Sequence, residues 1–591
     1  MQEFPPPSPT RLHYLKSKDT YPEQINRFAF QLTRKNPYEL KLLSKQLTYL
    51  LISLKNALFI SDDNDEINKY VNYFILLHKL IIYTRDIYVG KGERDLTYMM
   101  IYVWYTQFPI LAINAIKLLI NHDPTEKNKK HSFGSWKDIK YFCNYVKENS
   151  EKGTEDPLID TCVYMLNQQL IQDLSFCFFT KSENENISFV SKWIPREKSK
   201  KFGWLFNKCA IQWSKIMYPE YYYFVTTKPT IPFQNKIKME YRKNISNLNR
   251  YLDTPQIKQC NNKWSEIKFE KVSEITQRKQ FRVFLNEDSY GYIRKQKEDR
   301  NNCRENMICH LFNPKKDNIN HQIYSSFQMK DLIKYTEYYQ TIQLRVSSFS
   351  LRYNNAESYK IPMCLNEQND IYWNQVKSTI LQNTENIIPL LDLTTTNYMN
   401  ALSISIMLSE ISKIKNKILV YDKIPVWVNL SDTNSLFEKI EKIQKIKNSK
   451  NTETSYIFSA LELLMVSILN TNLSTEEVGN LCLCIISDYS IPIKELQLHI
   501  QYFFHKNGYT KTPHMIYWNV SLQNNIYYPC SAFTPRTLMI SGTSSSCFHF
   551  LNEPLWKENT PYTYLCNVLS QERYLEIEHY FLQLTMNNNN E

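Results

Sequence analysis

Asn386-Ile387-Ile388-Pro389-Leu390-Leu391-Asp392-Leu393 is the stretch whose reading decides the fold. It is short, almost wholly apolar and ends on an aspartate, the pattern of a strand buried on both faces. Five further runs share this texture: KILVYD (417–422), VWVNL (426–430), LCLCIISD (481–488), HMIYWNV (514–520) and TLMISG (537–542). Amphipathic stretches at 398–412, 434–447, 456–470 and 493–506 lie between them. Strand–helix alternation of this kind predicts βαβ units and a doubly wound, mostly parallel sheet over 384–555. Such sheets take their ligands at the carboxyl ends of the strands.

Two runs deliver an aspartate to that edge. The first ends in Asp392 and continues through Thr394 and Thr396; the second ends in Ser487-Asp488, and Thr454 precedes the helix between them. If the three loops share one edge, two carboxylates and three hydroxyls converge. Hard oxygen donors of that kind suit Mg²⁺ or another divalent cation. The same residues also suit a purely structural role, with Thr394, Thr396 and Asn397 capping the next helix and Asp488 the one after.

Upstream, 22–365 reads as helical. PYELKLLSKQLTYLLISLKNAL (37–58), DEINKYVNYFILLHKLIIYTRD (65–86) and DPLIDTCVYMLNQQLIQDL (156–174) place apolar residues at helical spacing. Helix follows helix with short polar breaks and no fixed period, which predicts an irregular, HEAT-like α-solenoid. Residues 1–21 are Pro-rich and read as loose, and 556–591 as a helical extension with an Asn-rich tail. The uncharged stretch 98–116 contains Pro109 and is followed by Lys117, so it reads as a buried helix pair kinked or split at the proline and not as a membrane span. The N-terminus shows no apolar signal region, and the 13 cysteines are scattered. Both features point to a reducing compartment, cytoplasmic and not secreted.

Charge is unevenly placed. The net charge of the 591 residues is +12, yet 192–304 holds 25 Lys+Arg against 11 Asp+Glu, while the rest of the chain holds 46 against 48. Within that stretch Lys192, Arg196, Lys198, Lys200, Lys201, Lys236, Lys238, Arg242, Lys243, Lys258 and Lys263 are interleaved with rings such as Trp193, Trp204 and Trp264. Cations neutralise phosphates and planar rings stack on unpaired bases, so a nucleic-acid-binding face, with Trp264 as a stacking ring, is one reading. A solvated lysine-rich surface over an aromatic core is the other. Abundant Lys, Asn, Ile and Tyr with only 9 glycines look like coding from an AT-rich genome.

The order Asp392-x-Thr394-x-Thr396, then Thr454, then Asp488 resembles the metal-ion-dependent adhesion site of von Willebrand factor A domains. Those domains often place glycine where this chain has Thr395, a costly residue if that position needs positive φ. Trp193-Ile194-Pro195-Arg196-Glu197-Lys198-Ser199-Lys200-Lys201, Gly134-Ser135-Trp136-Lys137-Asp138, Gln256–Trp264, Pro513–Asn519 and Ser541-Gly542 resemble an uncharacterised family of plants, fungi and large DNA viruses of protists. That family is itself similar to TROVE-module proteins of the Ro type. The resemblance spans about 80–555. It implies a ring of helical repeats that binds structured or single-stranded RNA and a C-terminal A domain that closes the ring. The AT-biased composition points to a giant-virus origin, and with it action in the cytoplasm or viral factory and packaging in the virion.

Catalytic patterns are missing. Gly90-Lys91-Gly92-Glu93-Arg94 lacks the length and ending of a phosphate-binding loop and reads as a turn, and neither HExxH nor GxSxG occurs. The Cys303 and Cys309-His310 spacing does not match paired zinc ligands. The expectation is a non-enzymatic RNA-binding scaffold. The alternative is a protein-interaction or virion component that binds an acidic partner through the A domain.

Overall fold

The computed structural model describes residues 19–120, 132–179, 187–220, 231–272, 274–288, 292–294, 297–312, 329, 373–374, 377–378, 380, 385–446, 457–490, 496–552 and 556–587. Five helices come first among the described residues: α1 (Tyr21–Gln31), α2 (Pro37–Ile60), α3 (Asn64–Arg85), α4 (Arg94–Gln107) and α5 (Pro109–Ile120). Pro37 starts α2 behind Asn36, whose side chain accepts a hydrogen bond from the Glu39 N–H at 2.9 Å. The uncharged stretch 98–116 is a helix pair broken at Pro109, where the ring removes a donor. Among the described residues no helix is long and apolar enough to cross a membrane.

Next come α6 (Trp136–Asn149), α7 (Pro157–Phe179), α8 (Val190–Trp193), α9 (Gly203–Met217), α10 (Ile231–Tyr251), α11 (Pro255–Cys260), α12 (Glu274–Lys279), α13 (Phe281–Phe284) and α14 (Glu298–Phe312). Their core is aromatic and thiol-rich. Trp213, Phe206 and Tyr241 pack together, beside buried Cys143, Cys162 and Cys209. Tyr241 Oη donates to Asn167 Oδ1 at 2.8 Å, which satisfies a hydroxyl that would otherwise be stranded in this core.

The sheet follows: β1 (Ile387–Asp392), β2 (Lys417–Tyr421), β3 (Val426–Asn429), β4 (Cys482–Ser487), β5 (His514–Asn519) and β6 (Thr537–Ser541). The order is β3-β2-β1-β4-β5-β6, parallel throughout except for β3 at one edge. Helix α15 (Tyr398–Ile411) lies between β1 and β2, α16 (Leu436–Ile446), α17 (Ile457–Asn470) and α18 (Thr475–Gly479) between β3 and β4, and α19 (Leu496–Lys506) between β4 and β5, and α20 (Pro561–Leu569) and α21 (Leu575–Asn587) follow the sheet. Side chains alternate across each strand. Leu390, Leu419, Leu483, Ile485, Met515 and Tyr517 pack with α17 and α19 on one face. On β5, Trp518 packs with Phe548 and Phe550, at ring-centroid distances of 4.9 and 6.1 Å.

Packing divides the chain differently from the sequence-based boundary at 365–384. One compact unit comprises 1–133 with 321–591, and the other 134–320. Helices α1–α5 therefore belong with the sheet. The α3 end holds the C-terminal helices: Arg573 Nε and Nη2 donate to the buried Asp86 carboxylate at 2.6 and 3.0 Å, and Tyr574 Oη adds a third bond at 2.9 Å. Helices before and after residue 133 share one amphipathic texture, which is why pattern alone did not separate them.

Candidate metal centre and nucleic-acid interface

Strand order reverses between β1 and β4, whose successors β2 and β5 lie on opposite sides. Asp392 ends β1 and Asp488 follows β4, so both stand at this switch point. Asp392 is 1% exposed. Its Oδ1 accepts from the Thr394 N–H at 2.9 Å and Thr394 Oγ1 at 2.7 Å, and its Oδ2 accepts from Ser487 Oγ at 2.8 Å. Asp488 Oδ2 accepts from the Thr396 N–H at 3.2 Å, and its Oδ1 from Ser490 Oγ at 2.9 Å. Burial pushes the Asp392 carboxyl above the ordinary aspartate range, against the pull of the Thr394 and Ser487 hydrogen bonds, and the Asp488 charge adds to the rise.

Asp392, Thr394 and Asp488 thus converge as expected. Thr396 contributes its main-chain N–H to Asp488 while its residue is exposed. Thr454 lies outside the described residues. Thr395 is not among the residues with positive φ, so the anticipated strain of a β-branched residue there does not arise. It is buried instead, and its Oγ1 has no hydrogen-bond partner among the described residues. Asn397 occupies the N-cap of α15 without a side-chain cap bond and donates to the Val520 carbonyl at 3.1 Å. Two carboxylates at one switch point and the hydroxyls of Thr394 and Ser487 form an all-oxygen set of the hard type that Mg²⁺ takes. Among the described residues no three of His, Cys, Asp and Glu cluster as metal ligands, so any cation here would rest on hydroxyl, water and partner oxygens beside the two aspartates.

The other half of the same edge is plugged. Asn519 Nδ2 donates to the Phe30 carbonyl at 2.7 Å and Ser541 Oγ to the Ala29 carbonyl at 2.8 Å. Lys35 Nζ donates to the Gln523 carbonyl at 2.6 Å, and Lys91 Nζ to the Ala29 and Leu32 carbonyls at 3.2 and 3.1 Å. Burial lowers the Lys35 amine to about 7 and the Lys91 amine to about 8. The Gly90-Lys91-Gly92 turn, with Gly92 at φ +67°, carries this lysine into the interior.

In unit 134–320 the motif Gly134–Asp138 is a helix start: the Ser135 N–H donates to Asp138 Oδ2 at 2.8 Å in the capping box of α6. The Trp193–Lys201 motif is a compact loop. Ile194 and Phe202 are buried, the Ser199 N–H bonds the Arg196 carbonyl at 3.0 Å, and the Gly203 N–H bonds the Ser199 carbonyl at 2.8 Å. A Cβ on Gly203 would lie 2.7 Å from the Glu197 carbonyl, so only glycine fits.

Of the residues expected to contact nucleic acid, Lys192, Arg196, Lys198, Lys200, Lys201, Lys236 and Lys243 are exposed and Lys238 is half-buried; none of these makes an ion pair among the described residues. Four others are already engaged. Arg242 pairs with Glu197, Lys258 with Asp253 at 2.9 Å and Lys263 with Glu266 at 3.0 Å, and Trp264 is covered by the Arg300 guanidinium 3.7 Å from its ring centroid. The charge count overlooked α6. Lys137 lies 5.2 Å from the Trp193 ring centroid, Lys140 4.6 Å from Phe202 and Lys147 5.1 Å from Trp204. Their spacing, 137, 140 and 147, puts them near one helix face and was the available signal.

No curated protein matches the chain. Residues 387–567, the sheet with its carboxyl-edge aspartates and the first C-terminal helix, are similar to a domain of unknown function (DUF7788).

Proposed function

We propose that this protein is a non-enzymatic RNA-binding scaffold of the ribonucleoprotein type, TROVE-like, with HEAT-like helical repeats and a von Willebrand A-like domain. The observation that carries this reading is the set of exposed cations on the 192–204 loop, which have no carboxylate partners among the described residues. Unpaired surface cations gathered in one place repel one another and are stabilised by a polyanion. Filter binding of the full chain to RNA over a salt series tests it. The expected outcome is an affinity that falls steadily as log salt rises. No measurable binding at about 50 mM salt, or binding without a salt slope, contradicts it.

The switch point favours a second reading for the A-like domain. Asp392, Thr394, Thr396 and Asp488, with Thr454 added only by the likeness to the adhesion-site pattern, would hold Mg²⁺ or another divalent cation whose open position takes an acidic group of a protein partner. The cation would supply the positive charge that the two carboxylates lack between them. Action in the cytoplasm or a viral factory, and a place in the virion, go with either reading. Asp392→Ala separates the two: it should abolish EDTA-sensitive partner capture and leave RNA affinity within about twofold. Partner capture that survives both the substitution and EDTA rules out the cation.

A further inference from the structure

Helix α6 and the 192–204 loop are held to each other by rings and amines. Lys137 stands over Trp193, Lys140 over Phe202 and Lys147 over Trp204, while Lys201 reaches Phe202 from the loop at 5.6 Å. A lysine laid over a ring has lost rotamer freedom in advance, so less is lost when it meets an anion. The acids of the two elements are all spoken for. Glu197 pairs with Arg242, Asp138 caps α6, and Glu148 accepts from Asn144 Nδ2 at 2.7 Å.

Lys140 lies on α6 over Phe202, and Arg196 lies on the loop that carries that ring. Lys140 is half-buried and Arg196 exposed, and neither has a carboxylate partner among the described residues. We infer that Lys140 and Arg196 together seat one phosphate oxyanion, with Lys147 and Lys201 flanking it, and that a phosphodiester of a bound RNA strand occupies this seat. The inference rests on the RNA reading and adds to it a defined subsite, half of which lies in α6 outside the basic stretch. A guanidinium offers a planar fork and an ammonium a point charge, a combination that fits a tetrahedral oxyanion. Burial, and after it the nearby Arg196 charge, hold the Lys140 amine below the ordinary lysine range, as expected of two cations kept together without their anion. The loop cannot spread to relieve them, because Gly203 and the buried Ile194 and Phe202 fix its shape.

A double-mutant cycle on the full chain tests this, read as RNA affinity by fluorescence polarisation with a labelled oligoribonucleotide. Lys140→Gln and Arg196→Gln should each weaken binding by about tenfold and lower the salt slope by about 0.7, the value for one phosphate of a single strand. The double variant should weaken binding by far less than the product of the two, because both act on one phosphate. Lys268→Gln, an exposed lysine outside the face, should combine additively with either. Exchanging chloride for inorganic phosphate at constant ionic strength should compete with the wild type and lose its effect on the double variant. Unchanged circular dichroism shows that the variants fold. Additive losses, no loss, or competition by polyglutamate but not phosphate would overturn the subsite while leaving RNA binding in place; absence of RNA binding in the wild type would overturn both.

Discussion

The end of β1 and the loop before α9 both gather like charges, and they handle them in opposite ways. At the switch point, Asp392 is withdrawn from water and its oxygens receive bonds from Thr394 and Ser487, with Asp488 close by. On the helical unit, Arg196, Lys198 and Lys200 stand in solvent with no ion pair among the described residues. Hydrogen bonds to a buried charged group are strong, of the order of 2 kcal/mol each, so the first arrangement is largely satisfied from within. Exposed cations gain little from the fold and much from a polyanion. The difference is one of satisfaction: the acidic site is bonded from within the fold, and the basic one is left to solvent.

Removing the cations should have the largest effect. Lys198→Gln/Lys200→Gln/Lys201→Gln should weaken RNA binding by about a hundredfold and flatten the salt slope by about 2 in a filter assay, with little change in Tm, since the residues are exposed. RNA affinity within threefold of wild type would erase the contrast. Distorting the loop without touching charge comes next. Gly203→Ala should cost about 2 kcal/mol in denaturant unfolding, because its Cβ would press on the Glu197 carbonyl.

The acidic site should answer to pH and divalent cation instead. Because the folded-state pKa of Asp392 is raised, the folded protein binds more protons than the unfolded chain, and stability falls as pH rises through the two values. Asp392→Asn should remove that fall in the presence of EDTA. Mg²⁺ at about ten times its Kd should raise wild-type stability by about 1.4 kcal/mol and leave the variant unchanged in a thermal melt. Equal Mg²⁺ responses would discount the cation.

The plugged half of the edge should respond to pH gradually and in the opposite direction. Lys35 and Lys91 have lowered amine pKa values of about 7 and about 8, so the folded state holds fewer protons than the unfolded chain above those values. Stability should therefore rise from about pH 7 toward pH 10, by at most about 1.4 kcal/mol per pH unit for each lysine. Lys35→Met should reduce the slope in pH-dependent unfolding; an unaltered slope would mean that Lys35 is not the group responsible.

The sheet was legible because each buried run carries its own signal. All six strands lie where alternating apolar runs and amphipathic helices put them, within about a residue at each end. Asp392 and Asp488 stood out because each closes such a run. Ser487 did not, since a serine inside an apolar run looks like any strand residue until the register sets it beside Asp392. Lys91 was read as part of a turn, and only tertiary packing shows that its amine is buried under α1. The contribution of α6 was hidden for another reason: Lys137, Lys140 and Lys147 sit in a stretch of near-neutral charge and join the basic face only through contacts with Trp193, Phe202 and Trp204.

Photo-cross-linking tests the RNA face most directly. The full chain, irradiated with an oligoribonucleotide carrying photoactivatable bases and then digested, should yield RNA-linked peptides from 136–149 and 192–204. Cross-links confined to 387–567, or none above those of an unrelated protein of similar charge, would contradict an RNA-binding face on the helical unit.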